Sequence, residues 1–169
     1  MNKLIYSFLF IFSLLVTNAA TEQPTQLTLP RFATLRATKA NLHVGPGSNY
    51  PVSWLFLRPG MPLEIVAEFD TWRQVRDWQG TEGWIHKSLL KGKRSFWTLG
   101  KTQELKDKPD EKAKTIAFVE AAVVGVLLEC QAKWCRVEMK SAGEANKQKY
   151  KGWLPRQAIW GVYPHENKL

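Results

Sequence analysis

The second half of this chain repeats the first. Leu42 with Pro46 returns as Leu105 with Pro109, "DTWRQV" at 70–75 as "AKWCRV" at 132–137, and "GWIHKSLL" at 83–90 as "GWLPRQAI" at 152–159. Such internal repetition means that one small supersecondary unit is built twice, so any fold must be a small fold used two times over. Only the spacing between the last two blocks differs. In the second half "SAGEANKQKY" at 141–150 replaces the short "WQGTE" at 78–82, and its small polar residues read as an extended hairpin loop or a flexible tip.

Within each copy the signals are those of short strands bounded by turn residues. In "PLEIVAEF", Leu63, Ile65, Ala67 and Phe69 alternate with Glu64 and Glu68, the period of two that a half-buried strand requires. Asp70 turns the chain into "TWRQVRDW", Gln79-Gly80 turns it again, and "TEGWIHK" supplies the next strand. The run "TIAFVEAAVVGVLLEC" at 115–130 has enough Ala and Leu for a helix. Its Val and Ile content and its match to 52–68 instead predict two strands.

Antiparallel units of this size curl up, because a short flat sheet can hide neither its apolar face nor its edges. The expected fold class is therefore all-β: two tandem small barrels, residues 33–95 and 96–164, docked with little linker so that each buries more surface than it could alone. Phe96, Trp97 and Leu99, in the boundary stretch 91–103, read as a strand shared with, or wedged between, both halves.

The N-terminus has the form of an export signal. Lys3 precedes an apolar run from Leu4 to Val16 broken only by Ser7 and Ser13, and small residues follow, so residues 1–20 are predicted to be removed after Ala19 or Ala20. The run is short for a membrane span, which needs about 20 apolar residues, so no stable membrane insertion is expected after cleavage; an uncleaved anchor is the alternative. In an oxidising compartment, periplasmic or extracellular, the chain's two cysteines read first as a disulfide. Cys130 and Cys135 bracket "QAKW" between two strand-like runs, where a hairpin brings them face to face. The formal charge of +9 falls to +8 when Lys3 leaves, and its basic residues are scattered along the chain. Outside the cytoplasm such a surface meets anionic wall polymers or lipid head groups rather than nucleic acid; the other reading is that it only maintains solubility.

The stretch "NLHVGPGSNYPV…GWIHKSLL" at 41–90 resembles the bacterial SH3-like domain, with its Asn-Val-Arg-x-Gly-Pro opening, its Trp-x-x-Val strand and its closing Gly-Trp-Val before a short 3₁₀ turn ending in Leu. The second half is similar more loosely: Leu105, Pro109, Trp134, Val137, Gly152 and Trp153 are kept, while Lys108 stands where the opening has Gly. The resemblance implies two tandem SH3-like barrels and a role in binding cell-wall peptides or glycans. The chain departs from the family opening at His43, which takes the usual Arg position.

Catalysis finds no support in the residues. His43, His86 and His165 form no metal-ligand spacing, and Gly-x-Ser-x-Gly and His-Glu-x-x-His are absent. No metal and no cofactor is called for. His43 and His86 fall at the ends of strands in one unit, close enough in the pattern to meet. For binding the material is richer, with eight tryptophans in 169 residues. Trp72, Trp84, Trp134 and Trp153 sit at matched positions and read as structural rings. Tyr50, Trp54, Phe56 and Trp78 belong to the first unit alone and suit stacking on sugar faces or covering a peptide. With His43 beside them, and Arg58, Arg73 and Arg76 able to fork onto carboxylates, they form the expected ligand set. The expected partner is cell-wall peptidoglycan or another envelope protein. A protein-protein adaptor is the alternative function, and a wall hydrolase the remote one.

Overall fold

A computed structural model describes residues 27–141 and 148–166. The first unit is β1 (Arg31–Leu35), β2 (Ala40–His43), β3 (Val52–Phe56), β4 (Pro62–Phe69), β5 (Trp72–Arg76), β6 (Glu82–His86), a 3₁₀ turn Lys87–Leu89 and β7 (Leu90–Lys91). The second repeats it as β8 (Ser95–Thr98), β9 (Gln103–Lys106), β10 (Thr115–Val119), β11 (Val124–Gln131), β12 (Trp134–Lys140), β13 (Lys149–Pro155), a 3₁₀ turn Arg156–Ala158 and β14 (Ile159–Trp160). Each is one seven-stranded antiparallel sheet, and the spatial orders, β3-β2-β6-β5-β4-β1-β7 and β10-β9-β13-β12-β11-β8-β14, are the same order displaced by one unit. The all-β expectation holds, and residues 115–130 form two strands, β10 and most of β11, not a helix.

Each sheet wraps round its own core. Leu35, Leu42, Phe56, Leu63, Val75 and Ile85 come from six different strands yet lie in one cluster, which a flat sheet would not allow. The second cluster uses matched positions: Leu105, Val119, Leu127, Val137 and Leu154. The Gly-Trp step is explained by the same wrapping. A Cβ on Gly83 would sit 2.9 Å from the His43 carbonyl oxygen, and one on Gly152 2.6 Å from that of Lys106, so only glycine lets β6 and β13 pass this close to β2 and β9.

The matched hairpins β4–β5 and β11–β12 turn on two residues each, with Phe69 opposite Trp72 and Gln131 opposite Trp134. Their first turn residues have positive φ, 49° at Asp70 and 45° at Ala132. Asp tolerates that conformation; Ala is strained there, by about 1–2 kcal/mol. The disulfide lies at the strained turn. Cys130 and Cys135 are register partners one pair inside it, and their sulfurs are bonded. Closing so short a ring contributes about 2 kcal/mol, which offsets the turn's strain.

One expectation fails at a bulge. Phe69 was expected on the core face with Leu63 and Ile65, but the register shifts between Ile65 and Ala67, and Phe69 is 61 % exposed. A bulge inserts one unpaired residue and reverses the phase of everything after it. The expected loop at 141–150 also differs in extent. Tyr150 and Lys149 are paired with Met139 and Lys140, and Ser141 N–H donates to Gln148 O at 2.9 Å. Residues 142–147 lie outside the described part, as does the predicted leader at 1–20.

Three residues, 92–94, join the two sheets. β8 is the wedge that the boundary stretch suggested: Phe96 enters the second core while the adjacent Trp97 enters the first, with Leu99 packed behind it. The C-terminal segment closes the seam. Phe32 of β1 meets Trp160 edge-on at 5.1 Å and Tyr163 at 4.7 Å, and Tyr163 donates its hydroxyl to buried Glu64 at 2.9 Å. Arg94 forks onto Glu166 and donates to Gly161 O at 2.7 Å.

Candidate functional site

The strand registers dictate which side chains share the solvent face of the first sheet. His43 is opposite Trp84, Trp72 is opposite His86, and Phe69 is opposite Trp72. Residues two apart on a strand point the same way, so Asn41 joins His43, and Trp84 joins His86. The result is a row of rings running across β4, β5, β6 and β2. Trp72 stands between two imidazoles, edge-on to His43 at 5.3 Å and to His86 at 5.7 Å. Lys39, Asn41 and Leu89 complete a depression of about 330 Å³ around them.

The two histidines present opposite chemistry. His43 Nδ1 lies 2.8 Å from the Tyr50 carbonyl, which can only accept, so Nδ1 carries the proton and Nε2 is left as an acceptor. His86 Nδ1 accepts from Ser88 N–H at 3.3 Å and sits 2.7 Å from the Ser88 hydroxyl, so its proton is on Nε2, a donor. No described residue occupies either Nε2. An acceptor and a donor on either side of an indole suit an amide or a pair of hydroxyls lying over the ring. The second unit keeps only the two indoles, Trp134 and Trp153, with Gln131 in place of Phe69. Lys106 stands where His43 is, and Pro155 where His86 is. Its Trp134 and Pro155 line a different cavity of about 610 Å³ with Trp160.

Two wrapped sheets of one order, each closed by a Gly-Trp strand and a 3₁₀ turn, agree with a match to the bacterial SH3 domain over residues 36–92 and again over 100–161. The chain belongs to the bacterial SH3 domain family. No curated protein matches these tandem SH3 units. Among solved structures the pair is similar to NlpC2 from Trichomonas vaginalis, at 13 % identity and a TM-score of 0.36, over 85 % of this chain and 52 % of that one. NlpC1 from the same organism matches at 13 % identity and 0.33, over 81 % and 47 %, and an NlpC/P60 family protein from Bacillus cereus at 17 % and 0.32, over 76 % and 55 %. The chain spans about half the length of these proteins.

The sequence-predicted ligand residues of the first SH3 unit divide into three groups. His43, Tyr50 and Trp54 are at the surface; Tyr50 covers Gly45 and Gly47, where any Cβ would strike its ring or the Asn49 side chain, so it closes the loop after β2. Phe56 does not line a groove: it is 4 % exposed, opposite Ala40 in the core. The other four are bonded within the fold. Arg58 caps the Trp97 ring at 5.1 Å and donates to Ala122 O at 2.7 Å, and Trp78 stacks on Trp97 at 5.7 Å, so both belong to the seam. Arg73 is paired with Glu68 at 2.8 Å, and Arg76 with Glu82 at 2.6 Å and Glu64 at 3.4 Å. The solvent face of the SH3 sheet instead presents Phe69, Trp72, Trp84 and His86 beside His43. Their signal was the two-residue turn at 70–71, which forces Phe69 opposite Trp72, provided the bulge is recognised. Among the described residues no group of three His, Cys, Asp or Glu is placed to hold a metal.

Proposed function

We propose that this protein is an exported, non-catalytic module that recognises cell-wall peptidoglycan. Residues 33–95 carry the ligand, 96–164 brace that unit, and a leader at 1–20 is removed. The observation that carries the reading is the Trp72 ring set between an imidazole acceptor and an imidazole donor on an open face. Wall peptides supply amides and wall glycans supply hydroxyls and flat sugar faces, and both fit such a platform. Tyr50 lies beside His43, whose Nδ1 its carbonyl holds at 2.8 Å, and Lys39 offers a charge for a peptide carboxylate. The predicted arginine clamp plays no part, because its guanidinium groups are held by Glu64, Glu68, Glu82 and the seam.

Sedimentation with purified peptidoglycan tests this. Wild-type protein should be retained, and Trp72→Ala, or the paired surface variant His43→Ala/His86→Ala, should weaken retention about tenfold, which corresponds to about 1.4 kcal/mol. Trp134→Ala should change it little. No retention of wild type at low salt would sink the reading, as would equal losses from Trp72→Ala and Trp134→Ala. Cleavage of the wall fragments by the protein would overturn the non-catalytic part.

One feature favours a second reading, an adaptor. β3 is an edge strand, and Val52, Trp54 and Leu57 on and beside it are each at least half exposed. An uncharged edge of this kind accepts a strand from another protein. Loss of a partner from Trp54→Lys with wall retention intact would support that role.

A further inference from the structure

Basic residues that are scattered in the sequence are brought together at the waist between the two units. Lys91 ends β7, Lys93 and Arg94 lie in the joining segment, and Lys140 ends β12 nearly fifty positions later, yet all four line one cavity of about 430 Å³. Its remaining wall is largely apolar, with Pro59, Val124 and Val126 among it. Arg94 is taken up by Glu166, which leaves three lysines. All three are exposed, and none is ion-paired with a described residue. Glu138, the one acid among the described residues lining the cavity, faces Lys149 at 4.0 Å.

We infer that this waist is a second binding site, separate from the aromatic face, and that it takes a linear phosphate-bearing polymer. Three ammonium groups are rotatable point charges, the form in which lysine binds phosphate, and they need no fixed fork geometry to follow closely spaced phosphates along a chain. The site is concave and lies between two bulky units, so a flexible anionic strand can enter it where a flat bilayer surface cannot. Focusing of like charge in a low-dielectric cleft strengthens the attraction beyond what scattered lysines supply. The aromatic face of the first unit and the seam between the units then have different jobs on the same target surface: the face reads wall peptide or glycan, and the seam holds a polyanion.

Fluorescence anisotropy with labelled inorganic polyphosphate at about 0.15 M salt, where the Debye length is roughly 8 Å, tests the inference. Wild type should bind saturably. Lys91→Gln/Lys93→Gln/Lys140→Gln should weaken binding about eightfold, roughly twofold for each exposed charge lost. Lys108→Gln/Lys112→Gln/Lys114→Gln, an equal charge change on the exposed loop after β9, none of whose residues lines the cavity, should weaken it less than about twofold. Lys140→Gln alone, on β12, gives a readout about twofold weaker even if the triple variant does not fold. Trp72→Ala should leave polyphosphate binding unchanged. Equal losses from the two triple variants, or no saturable binding by wild type, would overturn the proposal. So would polyglutamate binding as tightly as polyphosphate, or phosphatidylglycerol vesicles outcompeting it through the same lysines.

Discussion

Replacing Trp97 by Ala tests whether β8 truly serves both units. Trp97 is hydrogen-bonded into the second sheet, through Val124 and Trp160, but its ring is 8 % exposed and lies in the first core. It also stacks on Trp78 at 5.7 Å and lies under the Arg58 guanidinium at 5.1 Å. Truncating a buried tryptophan costs roughly 3–5 kcal/mol, the cavity included, and the ring and cation contacts put this site toward the upper end. With a urea slope of about 2 kcal/mol per molar, the unfolding midpoint should fall by about 2 M. The location of the loss is the sharper test. Amide exchange in Trp97→Ala should accelerate in β1, β4 and β5 of the first unit, although the substitution is in a strand of the second. Phe96→Ala, one residue away with its ring in the second core, should accelerate β11 and β12 instead. A cost below about 1 kcal/mol for Trp97→Ala, or the same exchange pattern in both variants, would refute the wedge.

Two further outcomes follow from the turn and the tail. Cys130→Ser/Cys135→Ser should lower stability by about 2 kcal/mol, and adding Ala132→Gly should restore about 1 kcal/mol by relieving the positive φ, both read by urea denaturation; no rescue would show that the staple does not offset the turn. Burial alone would raise the Glu166 carboxyl, but the hydrogen bonds from Arg94 and the Tyr163 amide, with the Arg94 and His165 charges, hold it below the usual carboxylate range. A lowered folded value means the stabilisation is present above the unfolded-state value and is lost as pH falls through the folded one. Stability should therefore drop below about pH 4, by about 1 kcal/mol for this pair, and Glu166→Gln should remove that part of the acid dependence in pH-resolved thermal melts.

Much of the architecture was legible along the chain because it is set by neighbours in sequence. Period-two alternation marked the strands, the matched Gly-Trp and Trp-x-x-Val blocks showed one unit used twice, and two cysteines flanking a short turn face each other in any hairpin. The wedge could also be anticipated, since Phe96 and Trp97 are adjacent apolar residues that a strand must send to opposite faces. What the tertiary structure alone decided depends on contacts between distant segments. The bulge after Ile65 reverses the phase of β4 and turns Phe69 outward, and alternation carries no mark of it. Which arginines are free depends on glutamates across neighbouring strands and on a seam closed by residues 160–166. The gathering of Lys91, Lys93 and Lys140 at one cavity depends on docking two units whose own patterns say nothing about how they meet. Local periodicity determines which face of each strand is apolar, but charge and ring constellations form where strands from different parts of the chain pack together.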